Sequence, residues 1–290
     1  MKVREFCSKV KGVAFRYLLS FRKIYNETDS KYVNINLKSY SYLQNKYKHF
    51  LDEMPIYEEG KDREDIIWWC WFQGEENAPK LNKSCLESLR KYVKNKKIIV
   101  IDEDNINEYV KFPKHILKKY KSGIITKTHL SDLLRCELLI KYGGTWIDSS
   151  VLLTGYNKEF FDSDFFVFNN YENNDESIMA SSWFITSNKN NPILLTTRNL
   201  LYEYWKHENF FVNYFIFHMF FTMATKKYKK LWNSVPKYSN NPPHVMQKEY
   251  LKKYDKKRFE ELKEISTIHK LSQKVKSKNI SNDSLYKFSI

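Results

Sequence analysis

Between residues 131 and 150 the chain carries Ser131, Asp132, Leu133, Leu134 and Arg135, then Tyr142, Gly143, Gly144, Thr145, Trp146, Ile147, Asp148, Ser149 and Ser150. No other stretch constrains the fold so tightly. Leu130, Leu133, Leu134 and Leu138 recur at three and four residues, which predicts an amphipathic helix over 129–141 with Ser131 near its start as a capping hydroxyl. Asp132 and Arg135 are three apart and share one face. Gly143 and Gly144 permit positive φ and a tight reversal, and Thr145, Trp146 and Ile147 favour a strand. Asp148 is therefore expected at a strand's C-terminal end, the edge where open α/β sheets leave a crevice for ligands.

The rest of the chain alternates in the same manner. Residues 66–72, Ile-Ile-Trp-Trp-Cys-Trp-Phe, form a short apolar run suited to a buried strand and closed by Gln73 and Gly74. Residues 80–94 read as helix, 97–102 as a second buried strand, and 165–168 and 183–186 as further strands. Asn191 followed by Pro192 opens another helix by capping and by proline in the first turn, and the apolar residues 212–225 predict one more. The alternation predicts an α/β fold with a Rossmann-like, mostly parallel sheet flanked by helices. At 290 residues one main domain over 64–272 is expected, with a helical extension at 1–63 and a basic, polar, loosely ordered tail at 273–290.

Charge is unevenly placed. The net formal charge is +15, and residues 226–290 hold 17 Lys and Arg against 6 Asp and Glu. An anionic partner is implied, and nucleic acid, phospholipid and a diphosphate all qualify. A merely solvated basic surface competes with these, because the joint richness in Lys, Asn, Ile, Tyr and Phe is what an AT-rich coding bias would produce. No basic-aromatic RNA motif, zinc spacing or helix-turn-helix accompanies the charge, so nucleic acid is not expected. Residues 2–24 predict a basic amphipathic helix that either lies on an anionic membrane surface or docks on its own domain. No stretch approaches the roughly 20 apolar residues of a membrane span, and residues 1–25 lack a signal peptide's apolar region, so a cytoplasmic location is expected. Cys7, Cys70, Cys85 and Cys136 are scattered and read as structural thiols.

The ordered set of Ile66 to Gly74, Pro79, Gly123 through Asp132 and Arg135, and Tyr-Gly-Gly-Thr-Trp-Ile-Asp at 142–148 resembles the capsular polysaccharide synthesis proteins related to glycosyltransferase family 32. Trp183-Phe184-Ile185, Asn190-Asn191-Pro192, the Phe217-His218-Met219-Phe220-Phe221 block, Asn241-Pro242-Pro243-His244 with Gln247, and Ile268-His269-Lys270-Leu271 continue it. The resemblance implies a GT-A fold that binds a nucleoside-diphosphate sugar, UDP-galactose or UDP-glucose being the natural guesses. It further implies transfer of the hexose, with retained configuration, to a glycan or lipid-linked saccharide in bacterial capsule synthesis, peripheral to the inner membrane. By the same resemblance Trp71 stacks on the nucleobase, Asp132 and Arg135 contact the donor sugar, and Asp148 opens an Asp-x-Asp motif holding ribose, sugar and a divalent metal. Gln73, Ser131, Gly144 and His244 complete the expected nucleotide-sugar site.

The chain departs from that pattern at Ser150, which stands where the second acid would be. A neutral hydroxyl is a weak ligand for Mn²⁺ or Mg²⁺, so a metal held by Asp148 and Ser150 is in question. Where metal is weakly held, fixed cations must stabilise the charge that develops on the departing β-phosphate. His269 and Lys270 are the candidates. The alternative function is a nucleotide-sugar or carbohydrate binder that lost catalysis with the second acid. Bland readings exist beside these: a surface ion pair for Asp132 and Arg135, a turn cap for Asp148, core packing for Trp68 and His218, and either surface or function for His244.

Overall fold

A computed structural model gives the architecture and describes residues 11–12, 31–170, 175–273 and 280–288. The basic helix expected over 2–24 lies, apart from residues 11–12, outside the described residues. The central sheet contains β1 (Ile66–Cys70), β2 (Lys97–Ile101), β3 (Gly144–Ile147), β5 (Phe165–Asn169) and β6 (Ala180–Ser187), in the order β2-β1-β3-β6-β5. Between β3 and β5 in the chain, β4 (Val151–Leu153) leaves the sheet to pair antiparallel with β7 (Ile268–Lys270). β1 is parallel to β2 and to β3, whereas β6 is antiparallel to both its neighbours. Four of the five strands thus point one way, the mostly parallel arrangement that the alternating sequence predicts.

Among the described residues the five longest helices build most of the core around this sheet: α1 (Lys31–Glu53), α2 (Lys80–Tyr92), α3 (Lys127–Tyr142), α4 (Pro192–His207) and α5 (Ile216–Lys227). Strand alternation sends Trp68 to one face of the sheet and Trp69 to the other. On the Trp68 face, Trp146, Val167 and Ile185 pack with Leu133, Leu134 and Leu138 of α3, Leu200 and Tyr204 of α4, and Phe217, Phe220 and Phe221 of α5. Tyr40, Leu43 and Tyr47 of α1 belong to that same core. On the opposite face Ile67, Trp69, Ile147, Phe166 and Phe184 pack with Leu86 and Leu89 of α2. A third cluster, Leu81, Cys85, Leu152, Met246, Tyr250, Leu262, Leu271 and Leu285, joins the β4–β7 ribbon to the C-terminal region. Residues 280–288 are anchored there, with Leu285 N–H donating to Lys252 O and Tyr286 N–H to Tyr250 O. No helix among the described residues is long and apolar enough to cross a membrane.

Local chemistry sets the boundaries. β1 ends at Cys70 rather than continuing to residue 72: Trp71 N–H makes the last ladder bond to Ile101 O, and Gly74 N–H then closes a turn onto Trp71 O. α3 begins at Lys127, earlier than the leucine pattern suggests, since the Thr126 side chain accepts from His129 N–H. Ser131 is therefore inside the helix, where its hydroxyl donates to Thr128 O at 2.7 Å. That corrects the expected capping role. Asn191 does cap α4, accepting from the N–H groups of Ile193 and Leu194. Gly143 ends α3, and Gly144 follows with φ 90°, where a Cβ would stand 2.5 Å from Ile66 O. The two glycines let β3 start against β1 immediately after the helix ends.

Candidate functional site

The close helix-to-strand reversal brings the three charged groups of the motif together. Arg135 and Asp132, on one face of α3, are both buried, and Arg135 Nη1 donates to Asp132 Oδ1 at 2.5 Å. Arg135 Nη2 reaches Asp148 Oδ1 at 3.2 Å. The guanidinium also sits 5.0 Å from the centroid of the Trp146 ring and 5.3 Å from that of Phe217, a cation between two aromatic rings. Asp148 lies just past the C-terminal end of β3, in line with Trp146 two residues before, and the Trp146 indole N–H donates to the same Asp148 Oδ1 at 3.0 Å.

A fourth group arrives from far along the chain. Lys270, the last residue of β7, pairs with Val151 of β4, and this register places its ammonium 3.1 Å from Asp148 Oδ2 and 2.6 Å from Ser150 Oγ. Its side chain is 19% exposed and that of Asp148 27% exposed, so the pair borders solvent while Arg135 lies beneath at 4%.

The two carboxyls of the cluster are driven apart in acidity. Burial pushes Asp132 up to about 7; Arg135 opposes this and the Asp148 charge adds to it. Burial would raise Asp148 as well, but the Lys270 ammonium, the Arg135 guanidinium and the Trp146 hydrogen bond together hold it below the usual carboxylate range. Asp148 is thus the permanent anion and Asp132 the group that changes charge near neutrality. Because the folded state keeps a proton on Asp132 at pH values where the unfolded chain has lost it, its stabilising contribution is complete below about pH 4 and is lost as pH rises through about 7. Asp132→Asn should therefore gain stability relative to the wild type between pH 5 and pH 8. Melting temperatures of the two proteins at each pH test this, and a constant difference would mean that Asp132 titrates normally.

The remaining expected residues divide. Trp71 follows β1 at the same sheet edge, half-buried against the Trp69 face, with an indole N–H that has no partner among the described residues. His244 is half-buried beside Trp183; its Nδ1 lies 2.7 Å from Asn240 O, and burial, with the Lys270 and Lys248 charges, keeps its ring below the ordinary histidine range. Gln73 is exposed in the turn after β1. Gly144 permits the close approach of β3 to β1. His269 corrects an expectation: strand alternation turns it away from Lys270, and its buried Nε2 faces Thr154 Oγ1 at 3.0 Å while burial pushes it down to about 4. A neutral imidazole packed behind the ribbon does not supply a cation to the site.

Other residues join the cluster that sequence reasoning passed over. Trp146 and Phe217 hold the guanidinium. His218, one residue on from Phe217, is half-buried, and burial followed by the Arg135 charge pushes it down to about 3 against the pull of Asp148. Its ring packs edge-on against Phe215 and Phe217. Tyr214, 53% exposed, stands near enough for the Asp132 and Asp148 charges to add to partial burial in raising its hydroxyl. Cys70 is pushed up to about 12 by burial, which removes a thiolate nucleophile from this edge. The position of Phe217 and His218 within a matched block was the available signal; their approach to Arg135 depends on how α5 packs.

The donor set does not fit a divalent cation. Asp148 offers one carboxylate, Ser150 a hydroxyl already engaged by Lys270, and an ammonium occupies the space between them. Among the described residues no group of three or more His, Cys, Asp or Glu could hold a metal ion.

Comparison with known proteins adds a family. The model of the family described as capsular polysaccharide synthesis protein matches residues 21–289. No curated protein matches the chain. Among solved structures, PaToxG glycosyltransferase is similar at 15% identity and a TM-score of 0.38, covering 69% of this chain and 83% of its own. A transferase carrying two cysteine-to-serine substitutions is similar at 14% identity and a TM-score of 0.34, covering 64% of this chain and 91% of its own.

Proposed function

The chain belongs to the capsular polysaccharide synthesis protein family, and from that premise we propose that it is a glycosyltransferase acting on a nucleoside-diphosphate sugar. The convergence of Asp132, Arg135, Asp148 and Lys270 at the C-terminal edge of the sheet carries this reading. A sugar diphosphate presents hydroxyls at one end and anionic oxygens at the other. The cluster presents carboxylates and a guanidinium over the deeper part, and an ammonium at the solvent border, in matching order. Trp71, at the same edge with an indole N–H that has no partner among the described residues, is suited to the base.

Transfer breaks the bond between the anomeric carbon and the β-phosphate oxygen, and the electron pair departs with the diphosphate. The acceptor hydroxyl forms the new bond and loses its proton to the departing phosphate. Groups fixed before the reaction and aimed at the developing charge lower the barrier most, because they need no reorganisation. Arg135, clamped by two carboxylates and two rings, is such a group. In this reading the hexose comes from UDP-galactose or UDP-glucose, keeps its configuration, and goes to a glycan or lipid-linked saccharide at a membrane surface. The test is a panel of sugar nucleotides assayed for hydrolysis, with the anomer of the released sugar read by NMR. Turnover of one donor with retention is expected. The Ser150 departure favours a second reading, a binding protein without catalysis, and saturable nucleotide binding with no turnover of any donor would select it.

A further inference from the structure

We propose that the Lys270 ammonium takes the place of the divalent metal, making sugar transfer by this protein metal-independent; this rests on the glycosyltransferase reading. The position between the first and third residues of the Asp148-Ser149-Ser150 run is filled by Lys270 Nζ, at 3.1 Å from Asp148 Oδ2 and 2.6 Å from Ser150 Oγ. The motif thus holds a cation that is part of the chain.

Three features make the substitution coherent. First, replacement of the second acid by Ser150 removes the negative charge that a dication would need and that would otherwise trap the lysine in a closed ion pair. Second, an ammonium has three donors; Asp148 and Ser150 take two, and the third has no partner among the described residues, on a side chain that is 19% exposed. That third donor is available to a phosphate oxygen. Third, β7 is locked to β4 over three residues, and Leu271 N–H donates to Ser150 O at 2.8 Å, so the backbone on both sides of the ammonium is fixed to the motif it serves. The cation is held in place before the donor arrives, which is the condition under which charge stabilisation counts most. Ser149 does not compete: its carbonyl and hydroxyl accept from Asn82 Nδ2 on the α2 side.

The experiment measures two quantities on the full chain, hydrolysis of the active donor and binding of UDP by calorimetry, each after EDTA treatment and after added Mn²⁺ or Mg²⁺. Wild type should keep turnover within about twofold in EDTA, with UDP affinity unmoved by either metal. Lys270→Ala and Lys270→Gln should each lower turnover by more than about tenfold and weaken UDP binding, with wild-type circular dichroism confirming the fold. The pair Ser150→Asp with Lys270→Ala rebuilds an acid-only motif, and its UDP binding should recover only when Mn²⁺ is present. Complete loss of wild-type turnover in EDTA restored by Mn²⁺, or full turnover in folded Lys270→Ala, overturns the proposal while leaving the glycosyltransferase reading intact. A wild type that neither hydrolyses any donor nor binds UDP overturns both.

Discussion

Asp148→Asn is expected to lower donor turnover by at least about a hundredfold, the scale seen when one preorganised electrostatic group is removed from an active site, while UDP affinity changes far less. The reason lies in what Asp148 holds. Its Oδ1 accepts from both Arg135 and Trp146, and its Oδ2 accepts from Lys270. An amide of the same shape offers one oxygen and one N–H₂, so one of the two cations must face a donor. The cations then lose their fixed positions, but their positive charge stays and still attracts a diphosphate. Turnover should therefore collapse while binding survives. Hydrolysis rates and UDP titrations on the same preparation check it, and unchanged turnover would remove Asp148 from the reacting site.

Arg135→Met should be strongly destabilising, costing about 3–5 kcal/mol, because it leaves the buried Asp132 carboxyl without its cation and takes one of the two cations from Asp148. Methionine fills much of the space between Trp146 and Phe217 but cannot donate to Asp132 or Asp148. The melting temperature should fall by on the order of 10 °C. The loss should be greater at pH 8 than at pH 5, since Asp132, raised to about 7, is already protonated at the lower pH and then needs no cation. Adding Asp132→Asn should recover a substantial part of the loss at pH 8, a coupling that a double-mutant cycle measures. Strict additivity of the two substitutions would show that the pair does not interact. Activity should be lost in both Arg135→Met proteins, which separates the stabilising role of the ion pair from its role in the chemistry.

Much of the site was legible because it is local. Three-residue spacing sets Asp132 and Arg135 on one helical face, two glycines supply the reversal, and a four-residue strand carries Asp148 to the sheet edge. These steps need only helix period, strand period and the freedom of glycine at positive φ. The mostly parallel sheet was legible for a similar reason, since apolar runs such as 66–70 and 97–101 alternate with amphipathic segments. Boundaries were less so. Ser131 and Thr126 are both hydroxyl residues near the start of a leucine pattern, and which one caps depends on where the preceding chain leaves the helix.

Long-range pairing escaped the sequence. His269 and Lys270 are adjacent and both basic in type, and nothing in composition says which one faces Asp148, 122 positions away from Lys270. The register of β7 on β4 decides it, because side chains alternate across a strand and a one-residue slip would exchange the two. The placement of Phe217 over Arg135 is likewise fixed by the packing of α5 in the core. The sequence by itself determined the helix-glycine-strand unit and its fixed charges, since neighbours along the chain are constrained by covalent geometry. Only the tertiary structure set Lys270 rather than His269 beside Asp148, since strand register and core packing are settled by contacts between segments that the chain holds far apart.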